Sequence, residues 1–266
     1  MERKAKRILK ETNDWDDVDP TAQELLEKAA AYRDPEAVHL LAMIHCGGEL
    51  NYYPCDCEEF RIGYEWMKSR AESGDPEAQY QYARTQCYAT GPNLETAIYY
   101  WEKAYEGGVT MAAQELADLY ASDSDWGVDY IPDPEKARYW YERARSKDEP
   151  SVSDRYGALL YREILQDMTA ASTQDQVLEL KQSERFAKLV AETKAAAEAG
   201  CFCSMMRLAA MMSDGWLGDV DEFGVRSMLL RAEQHGSSAA HACLDDILNG
   251  NISAREAIER NRRLIS

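Results

Sequence analysis

Apolar residues recur at spacings of three and four along most of this chain, the period of helices with one buried face. No stretch alternates with period two, so nothing reads as strand. The helical segments follow one repeated arrangement: an apolar-periodic stretch, a break, then an Ala-rich apolar stretch. The clearest copies are WMKSRAESGDPEAQYQYA from Trp66, YWEKAYEGGVTMAAQELA from Tyr100 and LLEKAAAYRDPEAVHLLA from Leu25. More divergent copies start at Trp140, Glu192 and Leu229. Aligned on the break, they place Arg33, Gly74, Gly108, Asp148, Gly200 and Gly236 in register, at spacings of 41, 34, 40, 52 and 36 residues. That range suits a two-helix repeat with a connection of variable length.

The break chemistry supports this reading. Glycine closes a helix C-terminus in the left-handed conformation without a Cβ penalty. Asp-Pro at 34–35 and 75–76 then opens the next helix, Asp as cap and Pro in the first turn. Ala37, Ala78 and Ala113 allow close helix approach. In residues 134–145 the predicted buried stripe is Ala137, Trp140, Tyr141 and Ala144. The fourth copy lacks the glycine. Its loop region, 166–173, is expected to lead into one long helix from about Gln174 to Ala199, capped by Thr173 with Gln176 three residues on. Ser253 and Glu256 form a second capping-box pattern, opening a final helix that ends in Arg260, Arg262 and Arg263.

One segment is more specific. In DWGVDYIPDPEKARYWYERA (125–144), Gly127, Val128, Asp133, Lys136, Ala137, Trp140, Tyr141 and Ala144 fit a known pattern, with Arg143 in place of a last Lys. AESGDPEAQYQYA (71–83) fits its inter-helix turn and second helix. The chain thus resembles the Sel1-like repeat family, a branch of the tetratricopeptide superfamily, over roughly 21–250. The resemblance implies an all-α, right-handed α/α solenoid of about six helix pairs. Residues 1–20 would be an N-terminal cap segment, 21–250 the solenoid and 251–266 a C-terminal capping helix.

The formal net charge of −18 is unevenly spread. Residues 1–10 carry +4 and 251–266 carry +2, leaving −24 on the stretch between. Such a body repels nucleic-acid phosphates and favours either a basic partner or simple solubility. No stretch reaches the roughly 18 consecutive apolar residues of a membrane span. The start is basic and lacks the apolar run of a secretory signal, so a cytoplasmic location is expected. Seven cysteines, an odd number, then argue against a disulfide framework and for reduced, mostly core thiols.

Candidate chemistry is sparse. His45, Cys46, Cys55 and Cys57 could supply four tetrahedral zinc ligands, but C-x-C is tighter than the usual ligand spacing and adjacent His-Cys seldom both reach one metal. Cys201 and Cys203 would project about 200° apart on a helix, which excludes joint chelation. Counted from Asp123, an EF-hand would need Gly where Val128 stands and Glu where Pro134 stands. The carboxylates Asp123, Asp125, Asp129 and Asp133, and Asp214, Asp219, Asp221 and Glu222, are therefore expected as solvated loops and caps. No G-x-S-x-G, GK[ST], H-E-x-x-H or G-x-G-x-x-G is present, so no cofactor and no catalytic residue are assigned and an enzyme is not expected.

The resemblance implies a concave surface lined by first helices. Two columns there fall off the core stripe, and from them Glu65, Tyr99, Glu102, Tyr139 and Glu142 are the candidate partner-binding residues. Tyrosine offers apolar area plus a hydroxyl, and carboxylates beside it would select Lys or Arg. The alternative is that these tyrosines pack between repeats. The expected function is protein binding, as an adaptor or as an inhibitor of the immunity type. A self-assembling scaffold and a hydrolase with an unrecognised site are the rival readings.

Overall fold

The computed structural model describes residues 58–88, 92–121, 132–144, 150–250 and 252–261, together with Glu24 and Glu27, which are helical and exposed. Among the described residues there are twelve helices and no strand. They are α1 (Glu58–Glu72), α2 (Pro76–Tyr88), α3 (Leu94–Glu106), α4 (Met111–Ala121), α5 (Pro134–Ala144), α6 (Pro150–Ala170), α7 (Gln174–Gln182), α8 (Glu184–Glu198), α9 (Phe202–Ser213), α10 (Glu222–Gln234), α11 (Ser238–Gly250) and α12 (Ala254–Arg260). The chain divides into two compact units, Met1–Ala144 and Arg145–Ser266.

Helix pairs are joined by one recurring turn. Gly74, Gly108, Gly200 and Gly236 have φ between +91° and +98°. At each, two backbone hydrogen bonds close the preceding helix. The glycine N–H donates three residues back, to Ala71, Tyr105, Ala197 or Glu233, at 2.8–3.2 Å. The next N–H donates five back, to Arg70, Ala104, Ala196 or Ala232, at 2.9–3.1 Å. This pair satisfies carbonyls that a helix end otherwise leaves open. The expected breaks at Arg33 and Asp148 lie outside the described residues, as does the first repeat copy apart from Glu27.

At the first of these turns the predicted cap forms. The Ala78 N–H donates to Asp75 Oδ1 at 3.0 Å, and Pro76 opens α2. Burial alone would raise the Asp75 carboxyl, but the backbone N–H bonds and the Arg70 guanidinium outweigh it and hold it below its ordinary 3.8.

In the first unit α2 packs on α1 and α3, and α4 on α3 and α5. Close approach follows from small residues: Ala97, Ala104, Ala112, Ala113, Ala117 and Ala137 are fully buried. Trp101 and Leu116 fill the space between. The stripe on α5 is Ala137, Trp140, Tyr141 and Ala144, as its periodicity predicts. Gly107 lies against Pro76, where a Cβ would come within 2.5 Å of the ring.

In the second unit α8 packs on α6 and α9, and α10 on α9 and α11. One core joins α8 to α12, with Met205, Ala209, Leu229, Cys243 and Ile258 at its centre. Both predicted capping boxes are present, at Thr173–Gln176 and Ser253–Glu256. Helix α12 buries Ala254, Ala257 and Ile258 completely against this core. Arg262 and Arg263 lie outside the described residues.

Two expectations are corrected here. The connection assigned to 166–173 is mostly helix, because α6 continues to Ala170. The single helix expected over 174–199 is two. Ser183 sits in extended backbone, φ −69° and ψ 150°, where it ends α7 and caps α8. Its hydroxyl donates to Leu180 O at 2.7 Å and accepts from Phe186 N at 3.1 Å. Serine competes with the helical ladder in this way, and α7 buries no residue that would oppose the break.

Two outcomes follow. Gly107→Ala should destabilise the chain by about 1–3 kcal/mol in urea unfolding, because the rigid Pro76 ring must move. Asp75→Ala should cost about 1 kcal/mol at neutral pH. A lowered folded pKa means the carboxylate's contribution is complete above 3.8 and is lost as pH falls through the folded value. The gap between wild type and Asp75→Ala should therefore close on acidification below about pH 4.

Candidate functional site

The candidate residues of the first unit sit on its first helices. Glu65 is exposed on α1. Tyr99 is 54% exposed on α3 and Tyr139 is 49% exposed on α5, each the most exposed tyrosine of its helix. Glu102 and Glu142 follow three residues later, one turn along the same faces, half-buried and exposed respectively. Both helices pack on α4, so the two Tyr/Glu pairs flank one second helix.

Each exposed ring ends a row of aromatic contacts. Tyr99 meets Tyr100 edge-on at 5.1 Å, Tyr100 meets Tyr82 of α2 at 4.9 Å, and Tyr82 meets Tyr64 of α1 at 5.9 Å. Tyr139 meets Trp140 edge-on at 5.1 Å, and Trp140 meets Tyr105 of α3 at 5.4 Å. All but the tilted Tyr82–Tyr64 contact are favoured edge-to-face arrangements, so the outer rings are braced by their neighbours. The Arg143 guanidinium lies 3.3 Å over the Tyr139 ring, a cation–π contact within one helix.

Beneath the surface, hydroxyls are tied to carboxylates of α4. Tyr80 donates to Glu115 at 2.9 Å and Tyr141 to Asp118 at 2.7 Å. Burial and the Glu115 charge push the Tyr80 hydroxyl well above its usual range. Burial and Glu115 also push the Cys87 thiol up to about 12, and burial and Asp246 raise Cys243 to about 11. These two cysteines are core residues, as expected.

The second unit holds a polar cluster that joins α6 to the start of α9. Arg207 is 5% exposed in the otherwise apolar run 205–211. Its Nη1 reaches Asp154 Oδ1 at 3.2 Å, Ser204 Oγ at 3.2 Å and the Asp154 backbone carbonyl at 3.4 Å. The Ser204 hydroxyl donates to Asp154 at 2.5 Å. Gly157 makes room, since a Cβ there would stand 3.0 Å from Thr193 Oγ1 and 3.4 Å from Arg207 Nη1.

Cys201 and Cys203 border this cluster, and the expectation that they project apart is corrected. Ligand atoms of Asp154, Cys201 and Cys203 lie within 4.8 Å of one another. The helical angle does not apply, because Cys201 precedes α9 with φ −69° and ψ 112°. Burial and the neighbouring Asp154 raise the Cys203 thiol. Asp154 and Arg207 are 53 residues apart, so no spacing announces them. The readable signal was an arginine inside an apolar helix.

The other candidates resolve in part. His45, Cys46, Cys55 and Cys57 lie outside the described residues, as do Asp123, Asp125 and Asp129. Asp133 caps α5 through Lys136 N at 3.1 Å, and Asp221 caps α10 through Gly224 N at 3.0 Å. Glu222 accepts from Ala254 N at 2.8 Å, tying α10 to the final helix. These carboxylates are caps, as the failed EF-hand pattern requires.

With this geometry in place the comparisons are informative. A family model for the Sel1 repeat matches residues 76–109 and 111–148. Residues 76–148 thus resemble a pair of Sel1 repeats. No curated protein matches it. Among solved structures it is similar to a Sel1 repeat protein from Oxalobacter formigenes, at 17% identity and a TM-score of 0.59 over 99% of both chains. It is also similar to a protective antigen of uropathogenic Escherichia coli strains displaying an SLR fold, at 19% identity and a TM-score of 0.60. That match covers 87% of this chain and 44% of the antigen, so the chain spans less than half of that protein's length. The fold is an all-helical α/α solenoid. Tyr99 and Glu102 fall in the first matched Sel1 repeat and Tyr139 and Glu142 in the second, while Glu65 precedes both.

The polar cluster yields its own outcome. Arg207→Met strands Asp154 and Ser204 without their cation and should cost about 3 kcal/mol in chemical denaturation.

Proposed function

We propose that this chain is a cytoplasmic, non-catalytic binding module that holds a basic segment of a protein partner on the first helices of its first unit. Sel1 repeat proteins generally mediate protein–protein interaction. The observation that carries the narrower reading is the pair of exposed tyrosines, Tyr99 and Tyr139, in consecutive matched repeats. Each is braced by a neighbouring aromatic ring, the partly buried Tyr100 or the buried Trp140, and followed one turn later by a glutamate. A pre-positioned ring loses little entropy on binding, and its flat face suits a Lys or Arg stem. Glu65, Glu102 and Glu142 would supply the charge that selects such residues. Arg143 would shift from Tyr139 as an incoming guanidinium takes its place. The net charge of −18 favours the same sign of partner at long range. An adaptor and an inhibitor that masks a basic active site would use this face alike. Among the described residues no helix is long and apolar enough to cross a membrane.

The test uses an array of Lys/Arg-rich peptides with interspersed aromatics, with acidic peptides of equal length as control. Basic peptides should bind with an affinity that falls as salt rises, and acidic ones should not bind. The combined variant Tyr99→Ala, Glu102→Gln, Tyr139→Ala and Glu142→Gln should lose at least about tenfold, or ~1.4 kcal/mol, while its melting temperature holds. Equal binding by the variant would remove this face as the site. Salt-dependent self-association without peptide binding would favour a scaffold instead.

A further inference from the structure

We propose that Cys201, Cys203 and Asp154 form a binding site for a thiophilic divalent cation of the zinc type, in the second unit and apart from the tyrosine face. Three independent features meet there. First, two thiols and a carboxylate offer the soft and borderline donors that zinc takes, with atoms already within 4.8 Å of one another. A tetrahedral site with Zn–S near 2.3 Å needs its sulfurs about 3.8 Å apart, a difference that rotation of the exposed Cys203 side chain covers.

Second, the carboxylate is prepared for the task. Ser204 and Arg207 both bond to Asp154 Oδ1, which fixes the group, while the described side-chain hydrogen bonds leave Oδ2 to face elsewhere. Such orienting bonds from a buried group are the usual support of a metal ligand. Third, the charges balance. Two thiolates and one carboxylate carry three negative charges, the buried Arg207 supplies one positive charge, and a divalent cation supplies the remaining two. The exposed side of Cys203 leaves a fourth position for water or an incoming ligand. Binding releases the thiol protons to solvent and changes no oxidation state.

The experiment titrates the reduced, metal-free full chain with Co2+ and follows thiolate-to-cobalt charge-transfer absorption, then displaces the cobalt with Zn2+. One equivalent should bind with this absorption, and zinc should abolish it. Cys203→Ser and, separately, Cys201→Ser should each weaken binding at least tenfold, a margin of about one ligand or its support, with helical content retained. Cys55→Ser/Cys57→Ser should leave the titration unchanged. No charge-transfer absorption in the full chain overturns the proposal. So does absorption that survives in both single variants and disappears in the 55/57 pair.

Discussion

The left-handed glycine that follows α1, α3, α8 and α10 is the constraint on which this structure depends. It stops the helix at a set residue, and two backbone hydrogen bonds, three and five residues back, lock the reversal at Gly74, Gly108, Gly200 and Gly236 alike. Because the turn geometry is the same each time, the phase of the second helix is inherited from that of the first. The alanine stripes of α2, α4 and α9 then meet the first helices packed on either side. Small residues at the crossing points bring backbones close, and dispersion over many such contacts supplies the cohesion. Gly107 against Pro76 is the same requirement for closeness, expressed between neighbouring pairs.

The aromatic residues divide their work along this scaffold. Trp101, Trp140, Tyr82 and Tyr141 are buried, and their rings or hydroxyls hold adjacent helices together. Tyr99 stands two residues from Trp101 and Tyr139 one from Trp140, so the helical period turns them outward while ring contacts keep them braced. The same repeat that builds the core thus displays the residues beside it at regular intervals, without loops or inserted domains. The Asp154–Ser204–Arg207 cluster follows a different logic. A buried cation among methionines costs desolvation, and three partners are needed to offset it. That expense has no stability argument behind it, which is why the adjoining cysteines invite a functional one.

The helix pairs, the glycine turns, both capping boxes and the α5 stripe were all legible in the sequence, because each is decided by residues within one or two turns of one another. Ser183 marks where local reading failed for lack of weight on a single side chain. A periodic stretch looked continuous from Gln174 onward, yet one hydroxyl offered the backbone a better partner than the helix did. The fourth connection failed similarly, since α6 continues through 166–170 with few buried positions after Ile164 to announce it.

What the sequence determined by itself was therefore the repeat and its period: where helices stop, which faces are buried, and which Tyr and Glu positions recur outside the stripe. The tertiary structure alone decided which side chains meet across pairs. Asp154 and Arg207 come together from 53 residues apart, and Cys201 swings out of helical phase to face Cys203 and Asp154. Local hydrogen bonds and period are properties of neighbouring residues, so they can be read in order along the chain. The meeting of distant polar groups depends on how whole helices dock, and no spacing in the sequence carries that information.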